Sequence, residues 1–189
     1  DIECRKLYAT IQRNAERILQ LVNQLMDIRK IDKGQMSLMF KKAEIVSFTR
    51  DLLESFEQQT RVKKLDLKFH TSAPEIEMWI DPKNVDKIIL NLLSNACKFT
   101  PENGQVEISL STGEDTHLPQ NAPLRRYVEL TVADSGIGIA STEREHIFER
   151  FYQIRNSQNN SNIGTGIGLH LTRSLVAVSY THLRAHETG

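Results

Sequence analysis

Residues 1–33 place Leu7, Ile11, Asn14, Ile18, Leu21, Leu25 and Ile28 at alternating spacings of four and three. That is a heptad seam, and it predicts one long helix with a single apolar stripe. Arg13, Glu16, Arg17, Gln24 and Arg29 lie off the seam. Asn14 is its one polar member, of the kind that sets register or partner number. A stripe of this length packs on a second helix or a second copy of itself, or else docks on the chain's own domain. Lys33-Gly34 ends the pattern.

Beyond Gly34 the periodicity keeps switching. Residues 37–41 fit a short strand with Leu38 and Phe40 on one side, and a helical series from Glu44 to Lys63 carries Ile45, Phe48, Leu52, Leu53 and Phe56. Leu65, Leu67 and Phe69 alternate as a half-buried strand does, and Met78-Trp79-Ile80 fits another short strand. Asp81-Pro82 then opens a helix, an N-cap acceptor followed by a first-turn proline. Val85, Ile88, Ile89, Leu92, Leu93 and Ala96 mark its buried face. Thr100-Pro101-Glu102-Asn103-Gly104 is a stop and turn, after which Val106, Ile108, Leu110 and then Val128, Leu130, Val132 alternate as strands. The polar residues 112–126 between them read as a hairpin loop. The order predicts an α+β sandwich, with helices covering one face of a mixed or antiparallel sheet.

Composition narrows the partners. The 189 residues hold 24 Lys+Arg and 24 Asp+Glu, so the net charge is zero and the basic footprint of a nucleic-acid binder is missing. Cys4 and Cys97 are far apart, which argues against a disulfide framework and for a reducing compartment. No apolar run approaches the ~18 residues of a membrane helix, and no signal peptide is visible. The expectation is a soluble piece, compatible with belonging to a larger membrane protein.

Three stretches carry candidate chemistry. On the Asp81 helix, Asn91 and Asn95 are one turn apart and Lys98 follows three residues later. Two amide oxygens and an ammonium on one face suit a hydrated Mg²⁺ and a polyphosphate. A solvated stripe on an ordinary amphipathic helix has the same composition, so the weight comes from downstream. There, Asp134-Ser135-Gly136-Ile137-Gly138-Ile139 follows a strand and offers a carboxylate beside backbone that a planar ligand can approach. Farther on, Gly164-Thr165-Gly166-Ile167-Gly168-Leu169 opens the last apolar helix, where free N–H groups form a natural phosphate site. Neither glycine run is a Walker A loop or a dinucleotide fingerprint. Between them, the aromatic run Ile147-Phe148-Glu149-Arg150-Phe151-Tyr152 has the look of core, and residues 155–162 have that of a lid.

Asn91 to Thr100, Asp134 to Ile139, Phe148 to Tyr152 and Gly164 to Leu169 resemble, in order and spacing, the N, G1, F and G2 boxes of sensor histidine kinases. Residues 37–176 resemble their ATP-binding catalytic domain, the gyrase-like Bergerat fold. Residues 1–33 resemble the second helix of their dimerisation and phosphotransfer hairpin, and the wording of the whole is similar to the hybrid type. The resemblance implies that Asn95 holds Mg²⁺ with Asn91 beside it, and that Lys98 meets the phosphates. It implies Phe99 near the adenine, Asp134 accepting from the adenine amino group, and Gly136 and Gly138 shaping that pocket. Gly164, Gly166 and Gly168 would bring lid and helix N-terminus to the phosphates, with Ile139, Phe148, Thr165 and Leu169 completing the nucleotide set. Phosphoryl transfer asks mainly for such positioning and charge neutralisation. Gyrase-like hydrolases carry a water-activating glutamate where this chain has Asn91, which cannot act as a base. That favours a kinase over an ATPase, and the intact Asn95, Lys98, Asp134 and last-box glycines favour it over a non-catalytic nucleotide-binding or dimerisation module.

The implied partners are ATP, the phosphoacceptor helix of the same protein, a response regulator receiver domain, and a second copy through residues 1–33. The implied location is the cytoplasmic portion of a membrane-bound sensor. Two departures stand out. None of His70, His117, His146, His170, His182 and His186 has the acceptor's sequence context, so the acceptor is expected before residue 1 and self-labelling is not expected. Residues 177–189 also lack the family's Glu-Leu-His-x-Gly and read as a non-native tail, whose loss of two strands would expose a sheet edge. His182 and His186 there have the spacing of helical metal ligands but read as a stray pair.

Overall fold

A computed structural model describes residues 2–114, 126–154 and 164–186, the backbone alone for residue 2 and for residues 180–186. The lid expected at residues 155–162, most of the 112–126 loop, and the side chains of His182 and His186 lie outside the described part. The described chain runs α1 (Ile2–Asp32), β1 (Lys41–Glu44), α2 (Ile45–Glu54), α3 (Glu57–Lys63), β2 (Asp66–Thr71), β3 (Glu77–Ile80), α4 (Pro82–Phe99), β4 (Gln105–Glu114), β5 (Arg126–Asp134), a 3₁₀ turn (His146–Phe148) and α5 (Gly168–His186). It divides into two compact units, one of Asp1–Ser37 with Thr142–Leu175, the other of Leu38–Ser141 with Val176–Gly189.

In the second unit β2 lies parallel to β4, and β4 antiparallel to β5, with Val106 opposite Asp134 at the β5 end. The sheet is therefore mixed. A separate antiparallel pair joins β1 to β3, Lys41 opposite Ile80. This register corrects the strand expected at residues 37–41. The ladder begins only at Lys41, where the chain meets Ile80, and Leu38 and Phe40 precede it. The single helix expected from Glu44 to Lys63 is also two. Ser55 donates its hydroxyl to Leu52 O at 2.6 Å and its backbone N–H to the same carbonyl, closing α2 before Phe56 turns into the core.

The core explains the rest. Ile89, Leu93 and Cys97 of α4 have no exposure and pack with Leu53, Phe56, Leu65, Val106 and Ile108. Each large aliphatic side chain so buried stabilises by about 1.5–3 kcal/mol relative to exposure. Cys97 belongs to that face although the apolar series stopped at Ala96. A smaller cluster of Ile45, Val46, Ile76, Ile80 and Leu110 seats β1 and β3.

In the first unit, α1 closes with Gly34 in the left-handed region (φ +62°). Gly34 N–H donates to Ile31 O and Gln35 N–H to Lys30 O, the paired bonds of a Schellman stop.

Candidate functional site

In the second unit the site grows from α4. Asp81 caps its start, one carboxylate oxygen accepting from Lys83 N–H and Asn84 N–H at 3.1 and 3.2 Å, the other from Met39 N–H at 2.8 Å. With Ile89 and Leu93 sealed in the core, the helix rotation is set, and Asn91, Asn95 and Lys98 fall on partly open positions. The Lys98 ammonium lies 4.7 Å above the Phe99 ring, which is 44% exposed, a cation and a flat apolar face side by side. At the helix end Thr100 donates both its N–H (3.0 Å) and its hydroxyl (2.7 Å) to Ala96 O.

The turn after β5 meets that helix end. Gly136 N–H donates to Asp134 Oδ1 at 2.8 Å, so one carboxylate oxygen shapes the turn and the second remains a further acceptor on an exposed residue. Ser135 ties the turn to β4, accepting from Gln105 N–H at 2.8 Å and donating its own N–H to Gln105 O at 3.0 Å. A Cβ on Gly136 would stand 2.7 Å from Phe99 O and 2.5 Å from Asp134 Oδ1, so only glycine lets the turn and α4 approach this closely. Gly138 has φ +68°. Ile137 and Ile139 are exposed. Asn91, Asn95, Lys98, Phe99, Asp134, Gly136, Gly138 and Ile139 thus share one compact unit.

The first unit gathers the remaining candidates. Gly166, at φ +68°, accepts on its carbonyl from Phe151 N–H at 2.8 Å, and a Cβ there would lie 2.6 Å from the Phe151 carbonyl carbon. Gly164 O accepts from the Gln153 amide at 3.0 Å, and Thr165 Oγ1 from Ile167 N–H at 3.2 Å. Ile167 is buried and anchors the turn from which α5 starts at Gly168, followed by Leu169. The aromatic run is a support for this turn rather than deep core: Phe148 is half-buried and Phe151 is 62% exposed.

Several neighbours left little signal in the sequence. The Lys63 ammonium reaches Cys97 O at 2.7 Å, Lys98 O at 3.1 Å and Thr100 O at 3.1 Å. Arg150 donates to both Asp32 oxygens at 2.6 and 2.8 Å and to His170 Nε2 at 2.9 Å. His170 in turn sets its Nδ1 2.9 Å from Phe148 O, which assigns the proton to Nδ1. No spacing rule links residues so far apart in the chain.

Burial pushes the Cys97 thiol up, and the Lys63 ammonium only partly pulls it back. The His146 imidazole is raised by its hydrogen bond and attraction to Glu149, and the Tyr152 hydroxyl is raised by its hydrogen bond to Glu143. Among the described residues no three His, Cys, Asp or Glu side chains gather as a metal site. The donors that fit a metal here are the amide oxygens on α4, hard ligands of the sort that hold Mg²⁺ alongside the oxygens of a polyphosphate. No helix among the described residues is long and apolar enough to cross a membrane.

Comparison with known proteins bears on the family and the fold. Residues 80–188 match the family described as Histidine kinase-, DNA gyrase B-, and HSP90-like ATPase. The sensor histidine kinase TmoS of Ectopseudomonas mendocina is 35% identical over 175 residues, 93% of this chain and 17% of that protein. Hybrid signal transduction histidine kinase D of Dictyostelium discoideum is 34% identical over 178 residues, 94% of this chain and 11% of that protein. The chain therefore spans less than a fifth of the length of either relative. Among solved structures, full-length ShkA in complex with AMPPNP aligns with a TM-score of 0.71 at 25% identity, covering 92% of this chain and 33% of that one. The α+β sandwich of Bergerat type, preceded by a long helix, is the fold expected above.

Proposed function

Because this chain belongs to the histidine kinase-, DNA gyrase B-, and HSP90-like ATPase family, we propose that it binds Mg-ATP as the catalytic part of a two-component sensor histidine kinase. In this reading the γ-phosphate passes to a histidine on a phosphotransfer helix, for relay to a response regulator receiver domain. The observation that carries it is the junction of α4 with the Asp134 turn. Asn95, Lys98 and Phe99 sit at the end of one helix, and Gly136 lets Asp134 stand against that end. The AMPPNP bound by ShkA is the kind of ligand such a junction suits.

The roles follow from chemistry. Mg²⁺, when bound, would neutralise phosphate charge. Asn95 is the residue to hold it through its amide oxygen, with Asn91 one turn away. Lys98 supplies a point charge for the phosphates, Phe99 a face for the base, and Asp134 an acceptor for an exocyclic amino group. In the first unit, the turn from Gly164 to Gly168 offers helix N-terminal N–H groups to an anion. Thr165 joins it, and Phe148 and Leu169 flank it. Asn91 has no acid–base capacity and cannot itself activate a water, so in this reading the attacking group is the acceptor's imidazole. We assign residues 1–33 to the dimerisation hairpin, residues 37–176 to the catalytic domain, and residues 177–189 to a tail outside it. A homodimer through residues 1–33 and attachment to a membrane-bound sensor complete the proposal.

The test supplies a histidine-bearing hairpin in trans with labelled ATP. Acid-labile phosphate should appear on the hairpin only when Mg²⁺ is present, and Asn95→Ala should lower its rate by about 10²-fold or more. Labelling that survives Asn95→Ala removes the metal assignment. Release of free phosphate without protein labelling would instead mark a hydrolase.

A further inference from the structure

We infer that Lys63 is a positioning residue for the nucleotide-facing end of α4, and this rests on the nucleotide reading above. Lys63 is the last residue of α3, outside every motif that points to a ligand. Its side chain crosses to α4 and places the ammonium on three carbonyls, Cys97 O at 2.7 Å, Lys98 O at 3.1 Å and Thr100 O at 3.1 Å. An ammonium has three protons, so its donor capacity matches these acceptors. A helix C-terminus leaves its last carbonyls without intrahelical partners and carries partial negative charge, and a cation there answers both needs. Lys63 is itself fixed from behind, because its own carbonyl accepts from Asn103 N–H at 3.3 Å in the turn that follows α4.

The pattern of acceptors gives the contact its meaning. Ala96 O is taken by Thr100, and Lys63 gathers the carbonyls of residues 97, 98 and 100. The Phe99 carbonyl is the exception in this turn, and it is the one facing Gly136, 2.7 Å from where a Cβ would be. Lys63 therefore holds three carbonyls of the turn while the Asp134 loop abuts the turn at the Phe99 carbonyl. It fixes the direction of Lys98 and Phe99 and the gap between α4 and Asp134, the two walls assigned to phosphate and base. Small misplacements of such walls are amplified in binding and rate.

The test uses the whole 189-residue chain, with Lys63→Met, Lys63→Gln and Lys63→Arg beside the parent. Two readouts are taken: amide hydrogen exchange across residues 96–100 without nucleotide, and calorimetric titration with Mg-ATP on folded protein. Lys63→Met and Lys63→Gln should speed exchange there relative to the amide of Leu93 and weaken Mg-ATP binding by about tenfold. Lys63→Arg, which keeps charge and several donors, should recover most of both. If Lys63→Met does not fold, Lys63→Gln and Lys63→Arg carry the comparison. Unchanged exchange overturns the clamp. Faster exchange with unchanged affinity reduces Lys63 to a structural cap and overturns the positioning role. Absence of Mg-ATP binding by the parent would instead sink the nucleotide reading, while exchange still judges the clamp.

Discussion

Helices α1 and α4 both carry an apolar series at helical spacing, yet their series end in opposite environments. On α4, Ile89 and Leu93 have no exposure and Ala96 has 4%. On α1, Leu7 and Ile18 are each 61% exposed, Ile11 55% and Leu25 40%, and only Ile28 at 4% is buried. Tyr8, Leu19, Val22 and Met26 widen the open face further. A periodic apolar stripe therefore announces that a surface will be covered without saying by what. For α4 the cover is the β2–β4–β5 sheet of its own unit. For α1, most of the stripe is uncovered among the described residues, and contiguous apolar exposure of that kind marks an interaction surface.

The largest effect that could break this contrast is in the α4 core. Leu93→Ala removes a fully buried side chain between α4 and β4 and should cost about 2–5 kcal/mol, read from the urea midpoint of the nucleotide-free chain. A cost near that of a surface change would mean that α4 is not the packed element described here.

That contrast also explains how much the sequence could disclose. The α4 cap at Asp81, the alternating strands and the glycine turns were legible, because each depends on neighbours within a few residues. What stayed hidden depends on contacts made at long range. The start of β1 is set by pairing with β3, some 36 residues on, so Leu38 and Phe40 offered a false strand. The break at Ser55 has no Gly or Pro to announce it; Phe56 is turned inward by the core it joins. Cys97, one place past the apolar series that ends at Ala96, is a core residue, since burial and not hydropathy rank decides a small thiol. The Lys63 contact and the Asp32–Arg150–His170 chain join residues 20 to 118 positions apart and follow from topology alone. Of the candidate site, residue types and turns could be read, but not what supports them.

A middle-sized effect sharpens the comparison at a helix that, like α4, is held from its own chain. Glu44 caps α2 by accepting from Val46 and Ser47 N–H at 2.8 and 2.6 Å, and from Ile76 N–H at 2.9 Å. Burial raises its pKa, but these three backbone donors outweigh it and bring the carboxyl from 4.5 down to about 2. A depressed folded-state pKa contributes stability that is present above the unfolded value and lost as pH falls through the folded one. Glu44→Gln should therefore cost on the order of 1 kcal/mol near pH 7. The gap to the parent should hold down to about pH 4.5 and close toward pH 2. A gap that does not change with pH would assign the loss to shape and not to charge.

The smallest effect on the isolated chain is expected on α1, and it tests the open side of the contrast. Ile18 is 61% exposed, so Ile18→Asp gives up little packing within one copy and should change dilute-solution stability by no more than about 0.5 kcal/mol. The same substitution puts a carboxylate in the middle of the heptad seam. If the seam seats a second copy, as proposed, the parent's melting temperature rises with protein concentration, because association draws on the folded state. A buried unpaired charge opposes that association, so the Ile18→Asp melting temperature should be flat with concentration. Two melting curves at concentrations a hundredfold apart, for parent and variant, decide the matter. A loss in dilute solution as large as that of Leu93→Ala would show that α1 packs on its own chain after all, and the two helices would then differ in partner no more than in pattern.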